Sequence, residues 1–442
     1  FPRASSSPPP LVCTMVGGTV AFSSHWVPRG MGSGPGLRIR GSRDPQGRGI
    51  VHGVSMSAGL DSTPTPASAS RRGALRKLLM AVVLATGMPR EGSASSREQA
   101  AASSCAEGDA VCASSSSKVP KLQLGSLSIS PIIMGQWQLA GGHGAYDPAE
   151  AVENMVKHYD AGITTVDTAD IYGPSEEIVG TFLKQRPEAV VCTKFCCFQG
   201  LARIDKKQVR KRILDSCKRL GVRSLDLVAL FWSDFEVKRY VQVAKWLTEL
   251  KEEGLIREIG VTNFDTPHLK ELVDAGVPVV SNQVQYSIVD RRAQNGLSSY
   301  CEQSSIKLLC YGSVGGGLLS SRFLAKQRPG RSTLDTSSLR MYASSVSRFG
   351  GWELFQELLS ALSQVAEKRG VTIANVATRY VLDQQAVGGV IIGVRNSKHI
   401  QENVAALNLT LDADDNKILE SVLAKAQGPE GDVYGYERGV VV

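Results

Sequence analysis

The chain has 442 residues, of which 42% are hydrophobic, so it can bury a large core and a mostly disordered protein is excluded. The formal charge is +8, but residues 1–100 contain 12 Lys and Arg against 4 Asp and Glu, so the excess lies there. Because the rest of the chain is electrically balanced, the charge gives no reason to expect a nucleic-acid partner.

The N-terminal segment has the composition of a targeting leader. Residues 1–117 are rich in Ser, Gly, Pro and Arg and show no periodicity, which is typical of organellar transit peptides. Arg71 and Arg72 precede a short apolar run at 78–85, as in a twin-arginine export signal, although a transit peptide can contain such a run by chance. We expect a disordered leader and a chloroplast location, in the stroma or, if residues 71–85 are used, in the thylakoid lumen. The run is shorter than the ~20 residues of a membrane span.

The nine cysteines indicate no metal site. They form no C-x-x-C pair, and no histidine lies at zinc-ligand spacing from them. We therefore expect no bound metal. Cys105 and Cys112, in a Ser/Ala-rich linker, are expected to be free thiols.

From Lys118 onward, short apolar runs alternate with amphipathic helical stretches. A hairpin and a first strand are predicted over 121–135. Seven further strands, each separated from the next by helix, are predicted at 163–168, 189–195, 225–232, 257–263, 278–285, 306–313 and 388–394. A Gly/Ser/Arg-rich insertion lies at 318–352, and additional helices are predicted at 353–369, 372–385, 398–407 and 412–426.

Eight strand-helix units predict a (β/α)8 TIM barrel over residues 118–442, with an N-terminal hairpin and extra C-terminal helices. An open doubly wound sheet is the alternative. If it bound a dinucleotide, G-x-G-x-x-G should follow the first strand, but this chain has MGQWQLAGG there. Length and the number of units favour the barrel.

Three polar residues fall at neighbouring strand ends, where barrel enzymes carry their reacting groups. They are Asp167, Tyr172 and Lys194. A nearby ammonium stabilises a phenolate and lowers the pKa of tyrosine from about 10, so Tyr172 would become a usable general acid. Asp167 would supply the counter-charge that keeps Lys194 protonated. The alternative is a buried Asp–Lys pair beside a packed tyrosine.

Two signals for phosphate binding occur after the last two strands, where barrels often bind phosphate. The seventh strand runs into SVGGGLL, where glycines such as Gly315 let backbone amides approach an anion. The eighth leads to Arg395, a cap at Asn396 or Ser397, and Lys398, which together favour an anion at a helix N-terminus. An ordinary capped helix is the alternative for the second signal. Together the two favour a nucleotide.

Six segments in order, DTADIYGPSEEIVG, TKF, GLIREIGVTNF, NQVQYS, YGSVGGGLLS and GVRNSKHIQEN, resemble the aldo-keto reductases over about residues 118–442. The resemblance implies a barrel that binds NADPH in extended form and reduces an aldehyde or ketone. It implies catalytic roles for Asp167, Lys194 and Tyr172, the last as proton donor. It also implies cofactor contacts: Thr262, Asn263 and Gln283 with the carboxamide, Tyr311 with the nicotinamide, Ser313 and Gly315 with the pyrophosphate, Arg395 and Lys398 with the 2′-phosphate, and Glu402 and Asn403 with the adenine, while Trp137 joins the same set.

One position departs from the family pattern. The family usually has histidine at the end of strand four, where this chain has Phe231. Phenylalanine cannot donate a hydrogen bond to the substrate carbonyl, and loss of one such donor typically costs about 10²–10³ in rate. His143, in the first strand-helix loop, is the histidine placed to orient substrate instead, unless it is a solvated loop residue.

Two functions remain open. The first is an NADPH-dependent reductase of a small carbonyl compound, acting as a monomer without nucleic acid; the second is an NADPH-binding redox sensor or interaction subunit with little turnover. Phe231 favours the second, and the intact catalytic residues favour the first. Cys196 and Cys197, close to Lys194, are either redox-sensitive or packing residues. The C-terminal stretch at 431–439, with Tyr434 and Arg438, is a candidate substrate-side loop.

Overall fold

The computed structural model describes residues 119–330 and 332–439, so the predicted leader at 1–117 lies outside the described residues. The strands are β1 Leu122–Leu124, β2 Leu127–Ile129, β3 Ile132–Gly135, β4 Thr165–Asp167, β5 Val190–Cys197, β6 Leu225–Trp232, β7 Ile256–Thr262, β8 Val279–Gln285, β9 Lys307–Tyr311 and β10 Val387–Gly393. The helices are α1 Pro148–Asp160, α2 Ser175–Leu183, α3 Lys206–Leu220, α4 Tyr240–Glu252, α5 Thr266–Asp274, α6 Leu297–Gln303, α7 Ser337–Phe349, α8 Gly351–Arg369, α9 Ile373–Leu382, α10 Ile400–Asn408, α11 Ala413–Leu423 and α12 Gly435–Arg438.

Strands β3 to β10 form a closed parallel barrel. Each pairs with the next along the chain, and β10 pairs with both β9 and β3, which closes the ring. Helices follow the strands, as expected for parallel neighbours joined by crossovers. The predicted (β/α)8 barrel is confirmed, including the N-terminal hairpin of β1 and β2 and the additional C-terminal helices.

The hairpin closes the N-terminal end of the barrel interior. Its apolar side chains pack with the inward residues of four strands in one cluster: Leu124, Leu127, Ile129, Ile133, Cys192, Leu227 and Leu309. Since side chains alternate along a strand, the residues two or four positions further on also face inward, nearer the C-terminal end. Lys194, Phe231 and Tyr311 occupy such positions. The strand register therefore directs predicted site residues from different strands into the same end of the barrel.

The insertion at 318–352, for which no helix is predicted from the sequence, contains α7. The Thr336 hydroxyl accepts a hydrogen bond from the backbone N–H of Leu339 at 3.2 Å and so caps the helix. Helical spacing is visible in the buried side chains Leu339, Tyr342, Val346 and Phe349. These apolar positions lie among serines and arginines, which gave the segment the composition of a loop.

Within the described part of the chain, no helix is long and apolar enough to cross a membrane. The longest described helix, α8, is amphipathic and packs eight of its residues into the core.

Candidate active site

A buried ion pair lies at the C-terminal ends of β4 and β5. The ammonium nitrogen of Lys194 donates to both carboxylate oxygens of Asp167 and to the backbone oxygen of Thr168, each at 2.8 Å. Both charged side chains are only 6% exposed. Burial lowers the pKa of Lys194, but the Asp167 carboxylate more than offsets this, and the net direction of the pKa is upward. Lys194 is therefore held as an ammonium ion.

Tyr172 lies beside this ion pair. The Lys194 nitrogen is 5.0 Å from the centroid of the Tyr172 ring. Burial raises the pKa of Tyr172 to about 12, and the Lys194 charge opposes that rise. The prediction of a lowered pKa is therefore wrong in its net direction, although the predicted effect of Lys194 is present. Burial outweighs it because a phenolate away from water is costly.

The carboxyl group of Asp167 has a second partner. The side-chain amide of Gln283, at the end of β8, donates to it at 2.6 Å. The backbone oxygen of Gln283 accepts from the Thr262 hydroxyl at 3.0 Å and from the backbone N–H of Asn263 at 2.9 Å. The residues predicted to hold a carboxamide therefore form one hydrogen-bonded group with the predicted catalytic ion pair.

Asn263 is unusual in its backbone. It has a left-handed conformation, with φ of 59°, which asparagine tolerates better than most residues other than glycine. Its side-chain oxygen accepts a hydrogen bond from the Tyr311 hydroxyl at 2.9 Å. Burial raises the pKa of Tyr311 well above its usual value, so this hydroxyl remains a donor.

The loop after β9 is built for close approach. Gly315, Gly316 and Gly317 form a short 3₁₀ turn and all have positive φ. A side chain at Gly316 would collide with Ser338 of α7, so a glycine is required there. Next to this turn, the Ser313 hydroxyl is fully buried and has no hydrogen-bond partner within the protein.

The predicted 2′-phosphate residues lie just past β10. Arg395 and Lys398 are both exposed. The predicted helix cap at Asn396 or Ser397 is wrong, since α10 begins at Ile400 with His399 as its N-cap residue. The side-chain oxygen of Asn396 instead accepts from the backbone N–H of Lys398 at 3.0 Å, which closes a turn before the helix.

The two predicted adenine contacts lie in the first turn of α10 and are partly exposed. The Glu402 carboxylate accepts from a ring nitrogen of His399 at 2.9 Å, and the backbone N–H of Asn403 donates to the His399 oxygen.

A sequence profile of the Aldo/keto reductase family matches residues 131–424. The chain belongs to this family of oxidoreductases. It is 29% identical over 326 residues to the chloroplastic pyridoxal reductase of Arabidopsis thaliana. The alignment covers 68% of this chain and 85% of that protein.

Two solved structures share the fold. A glycerol dehydrogenase from Gluconobacter oxydans has a TM-score of 0.61 at 24% identity and covers 70% of this chain and 97% of that one. An aldo/keto reductase from Klebsiella pneumoniae, in complex with NADP and acetate, has a TM-score of 0.53 at 23% identity and covers 69% and 94%. At this identity both similarities concern the barrel itself.

The position of the expected histidine is apolar. Phe231, 5% exposed at the end of β6, has its ring centroid 5.0 Å from that of Phe198 and 6.0 Å from that of Tyr434. We call Phe198, Phe231 and Tyr434 the aromatic wall. The C-terminal stretch thus contacts Phe231 and supplies one of the three rings, while its role as a substrate-side loop stays a prediction.

His143 is not free to orient a substrate in this arrangement. One ring nitrogen lies 3.2 Å from the Gly141 oxygen and the other 2.7 Å from the Ser338 hydroxyl, on α7. Burial lowers the pKa of His143, and two nearby arginines add to this effect. The ring also meets the ring of Trp137 edge-on, with 4.9 Å between their centroids. Trp137 is partly exposed and lies just past β3. His143 joins the first loop to α7.

The hypothesis of redox-sensitive cysteines conflicts with the thiol environments. Cys196 and Cys197 are both buried. Burial raises the pKa of Cys197 to about 11 and raises that of Cys196 well above its usual value. Both remain neutral thiols at physiological pH, and neutral thiols react slowly with oxidants.

Two residues of the C-terminal stretch, Arg438 and Glu437, make contacts that the sequence did not reveal. Arg438 donates to the backbone oxygens of Asn263 at 2.8 Å and Trp232 at 3.0 Å. The next residue back, Glu437, accepts two hydrogen bonds of 2.9 Å from the buried Arg292. These contacts join the C-terminus to distant strands, and no local motif could have revealed them.

Proposed function

We propose that the chain reduces an aldehyde or ketone to an alcohol with NADPH as hydride donor. The observation that carries the proposal is the arrangement of the Lys194 ammonium, held by Asp167 at 2.8 Å and facing the Tyr172 ring at 5.0 Å, at the C-terminal end of the barrel. An isolated structural ion pair would not need a tyrosine beside its cation or a third contact from Gln283.

The residues present fit the cofactor. The buried Ser313 hydroxyl has no partner in the protein, and the side-chain nitrogen of Gln136, just past β3, is also buried without one. The glycine turn at 315–317 has no side chains and would let a pyrophosphate approach the backbone closely. Arg395 and Lys398 would hold the 2′-phosphate. The NADP complex of the Klebsiella relative supports the same choice of cofactor.

The remaining cofactor assignments follow the hydrogen-bonded group around Gln283. The Asn263 and Gln283 side chains, with Thr262 beside them, would hold the carboxamide, and the Tyr311 ring would lie against the nicotinamide. Glu402 and Asn403 would approach the adenine from α10, and Trp137 would close the site from the first loop.

Each side chain then has a definable part in the reaction. NADPH, when bound, supplies the hydride that adds to the carbonyl carbon. Tyr172 donates its hydroxyl proton to the carbonyl oxygen and is reprotonated from solvent afterwards. The Lys194 ammonium stabilises the phenolate as it forms, and Asp167 keeps that ammonium in place. The product is an alcohol.

The raised pKa of Tyr172 is compatible with this role. A pKa of about 12 keeps the phenol protonated at neutral pH, which is the state a proton donor requires. The lysine charge matters during the transfer, when the phenolate appears in a site with little water. Without Lys194, burial alone would oppose proton release still more strongly.

Phe231 favours a second candidate, an NADPH-binding sensor or interaction subunit with little turnover. Phe231 cannot donate a second hydrogen bond to a carbonyl oxygen, and Tyr434 carries the one hydroxyl of the aromatic wall. A sensor based on thiol oxidation is disfavoured, because every cysteine of the described residues is buried and burial raises the pKa of each: Cys192, Cys196, Cys197, Cys217, Cys301 and Cys310.

The proposal includes a plastid location for a mature domain that begins near residue 118 and acts as a monomer. The composition of residues 1–117 supports a transit peptide, and the Arabidopsis relative is named as chloroplastic. Fluorescent fusions of the full chain and of residues 118–442 test this, since only the first should enter plastids.

The activity is tested by NADPH oxidation with residues 118–442 and a panel of aliphatic, aromatic and dicarbonyl aldehydes, including pyridoxal. Turnover that is lost in Tyr172→Phe would support the reductase. NADPH binding without turnover on any compound would support the second candidate. Failure of the wild-type domain to bind NADPH would contradict both.

A further inference from the structure

Arg438 bridges the ends of two neighbouring barrel strands from the far C-terminus of the chain. Its guanidinium donates to the backbone oxygen of Trp232, the last residue of β6, and to that of Asn263, the first residue after β7. The guanidinium carbon lies 4.1 Å from the centroid of the Phe235 ring, which covers one side of it. The contact spans 206 residues in sequence to Trp232 and 175 to Asn263.

The charge of Arg438 is held without a carboxylate hydrogen-bond partner. Its acceptors are two neutral backbone oxygens, while the adjacent carboxylate of Glu437 bonds to Arg292. The Nε atom is buried with no partner, and burial lowers the pKa of the guanidinium. Burying a cation in this way is a costly route to stability. A purely stabilising role for Arg438 is therefore a weak explanation of the arrangement.

Asn263 is the residue that this contact controls. Three hydrogen bonds fix it in its left-handed conformation: its N–H donates to the Gln283 oxygen, its side-chain oxygen accepts from Tyr311, and its backbone oxygen accepts from Arg438. The peptide group after Asn263 is held on one side by a long bond of 3.4 Å from the Phe264 N–H to the Asn282 side-chain oxygen. The shorter bond of 2.8 Å from Arg438 holds its oxygen and so supports the left-handed backbone from which the Asn263 side chain projects.

We propose that Arg438 is a positioning residue for the nicotinamide end of the cofactor, acting through Asn263. The inference rests on the proposed function, in which the Asn263 side chain holds the carboxamide. It adds that the C-terminus of the chain takes part in cofactor geometry, beyond forming a substrate-side loop.

Anchoring of the C-terminal segment is the competing role. The paired hydrogen bonds between Glu437 and Arg292 already supply an anchor, and Arg292 is in turn bonded to Asp290. Glu437→Gln therefore weakens the anchor and leaves the contact with Asn263 intact. It is the matched control for Arg438, one residue away on the same short helix.

The experiment compares wild type, Arg438→Met, Arg438→Lys and Glu437→Gln in residues 118–442. NADPH affinity is measured by quenching of protein fluorescence, and kcat and KM are measured with the best carbonyl substrate of the panel. We expect Arg438→Met to weaken NADPH binding about tenfold, as for loss of one charged hydrogen bond, and to lower kcat. The KM for the carbonyl compound should change less.

Arg438→Lys retains the charge but cannot span both oxygens, so an intermediate affinity is expected. Glu437→Gln should bind NADPH like wild type. Equal NADPH affinity in Arg438→Met and wild type would overturn the inference alone, as would an equal loss in Glu437→Gln. A change confined to carbonyl KM would assign Arg438 to the substrate side and overturn it too. A wild-type domain that does not bind NADPH would overturn the proposed function as well.

Discussion

The Tyr434 ring meets the Phe231 ring edge-on, with 6.0 Å between their centroids. The position where the family usually has a histidine donor is therefore occupied by the Phe231 ring, and the Tyr434 ring packs against it. Phe198 packs on the same ring at 5.0 Å, so the surroundings of Phe231 are aromatic. Because no histidine donor is present at this position, the rate of carbonyl reduction should depend chiefly on Tyr172 beside the Lys194 ammonium.

Phe231→His should raise the rate of carbonyl reduction. The imidazole would supply a second donor to the carbonyl oxygen, a contact that can contribute about 10²–10³ in rate. We expect a gain of about tenfold in kcat, because the surrounding rings were not arranged for a polar side chain. Steady-state kinetics check it, with Phe231→Leu as the size-matched apolar control. An equal gain in Phe231→Leu would attribute the effect to space instead of hydrogen bonding.

Tyr172→Phe should abolish turnover and leave NADPH binding intact. General acids contribute about 10²–10⁴ in rate, and the substitution removes only one oxygen. Kinetics and fluorescence quenching on the same preparation separate the two properties. Residual activity near that of wild type would show that another group, or water, donates the proton.

The pH profile follows from the raised pKa of Tyr172. Because that pKa is about 12, the phenol stays protonated as the pH rises. Deprotonation of Tyr172 should therefore not reduce the rate between about pH 7 and about pH 10. The rate should fall only as the pH approaches 12. A decline centred on neutral pH in the single-turnover rate would contradict this assignment.

Lys194→Met should lower both activity and stability. It leaves Asp167 as a buried carboxylate without its cation, and breaking such a pair costs about 3–5 kcal/mol. The double variant Asp167→Asn with Lys194→Met removes both charges, so it should recover much of the stability and none of the activity. Urea unfolding and kinetics measure the two effects. Equal instability of the single and double variants would refute the electrostatic explanation.

The eight-unit barrel was predictable from sequence because its strands are short apolar runs with polar ends. The alternation that places Cys192 and Lys194 on one side of β5 is a property of any strand, so residues such as Asp167 and Lys194 could be assigned to one end without coordinates. Their 2.8 Å contact follows from neighbouring strands in register. The local pattern of apolar strands with polar ends was sufficient to predict the barrel because the fold repeats that pattern eight times.

The features that escaped prediction depend on distant residues. The four buried apolar residues of α7 lie among serines and arginines, so the composition of the segment does not indicate a helix. Their helical spacing is recognisable once their burial is known. The direction of the Tyr172 pKa depends on how much water reaches the ring, which no spacing encodes. The contact of Arg438 with Trp232 spans most of the domain. The contact of His143 with Ser338 was likewise not predictable, because Ser338 lies on α7, in the insertion for which no helix is predicted.

Acid should loosen the contact between the first loop and α7. Burial lowers the pKa of His143 below its usual 6.5, so the stability it contributes is present above about pH 6.5 and is lost as the pH falls through the folded-state value. We expect hydrogen exchange in α7 to accelerate on going from about pH 7 to about pH 5, once corrected for intrinsic rates. His143→Gln should weaken this pH dependence. His158→Gln is the control, because burial also lowers the pKa of His158, which bonds within α1.

Arg395 and Lys398 should determine the choice between NADPH and NADH. Both side chains are exposed beside the start of α10, where a 2′-phosphate would gain their charge and an unphosphorylated ribose would not. Arg395→Met with Lys398→Met should weaken NADPH binding by about tenfold or more and leave NADH binding nearly unchanged. The exposed Arg257, paired with Asp226 at the opposite end of the barrel, provides the control Arg257→Met. Equal losses for the two cofactors would mean that these cations act on the pyrophosphate or on α10 itself, and that the preference for NADPH has another source.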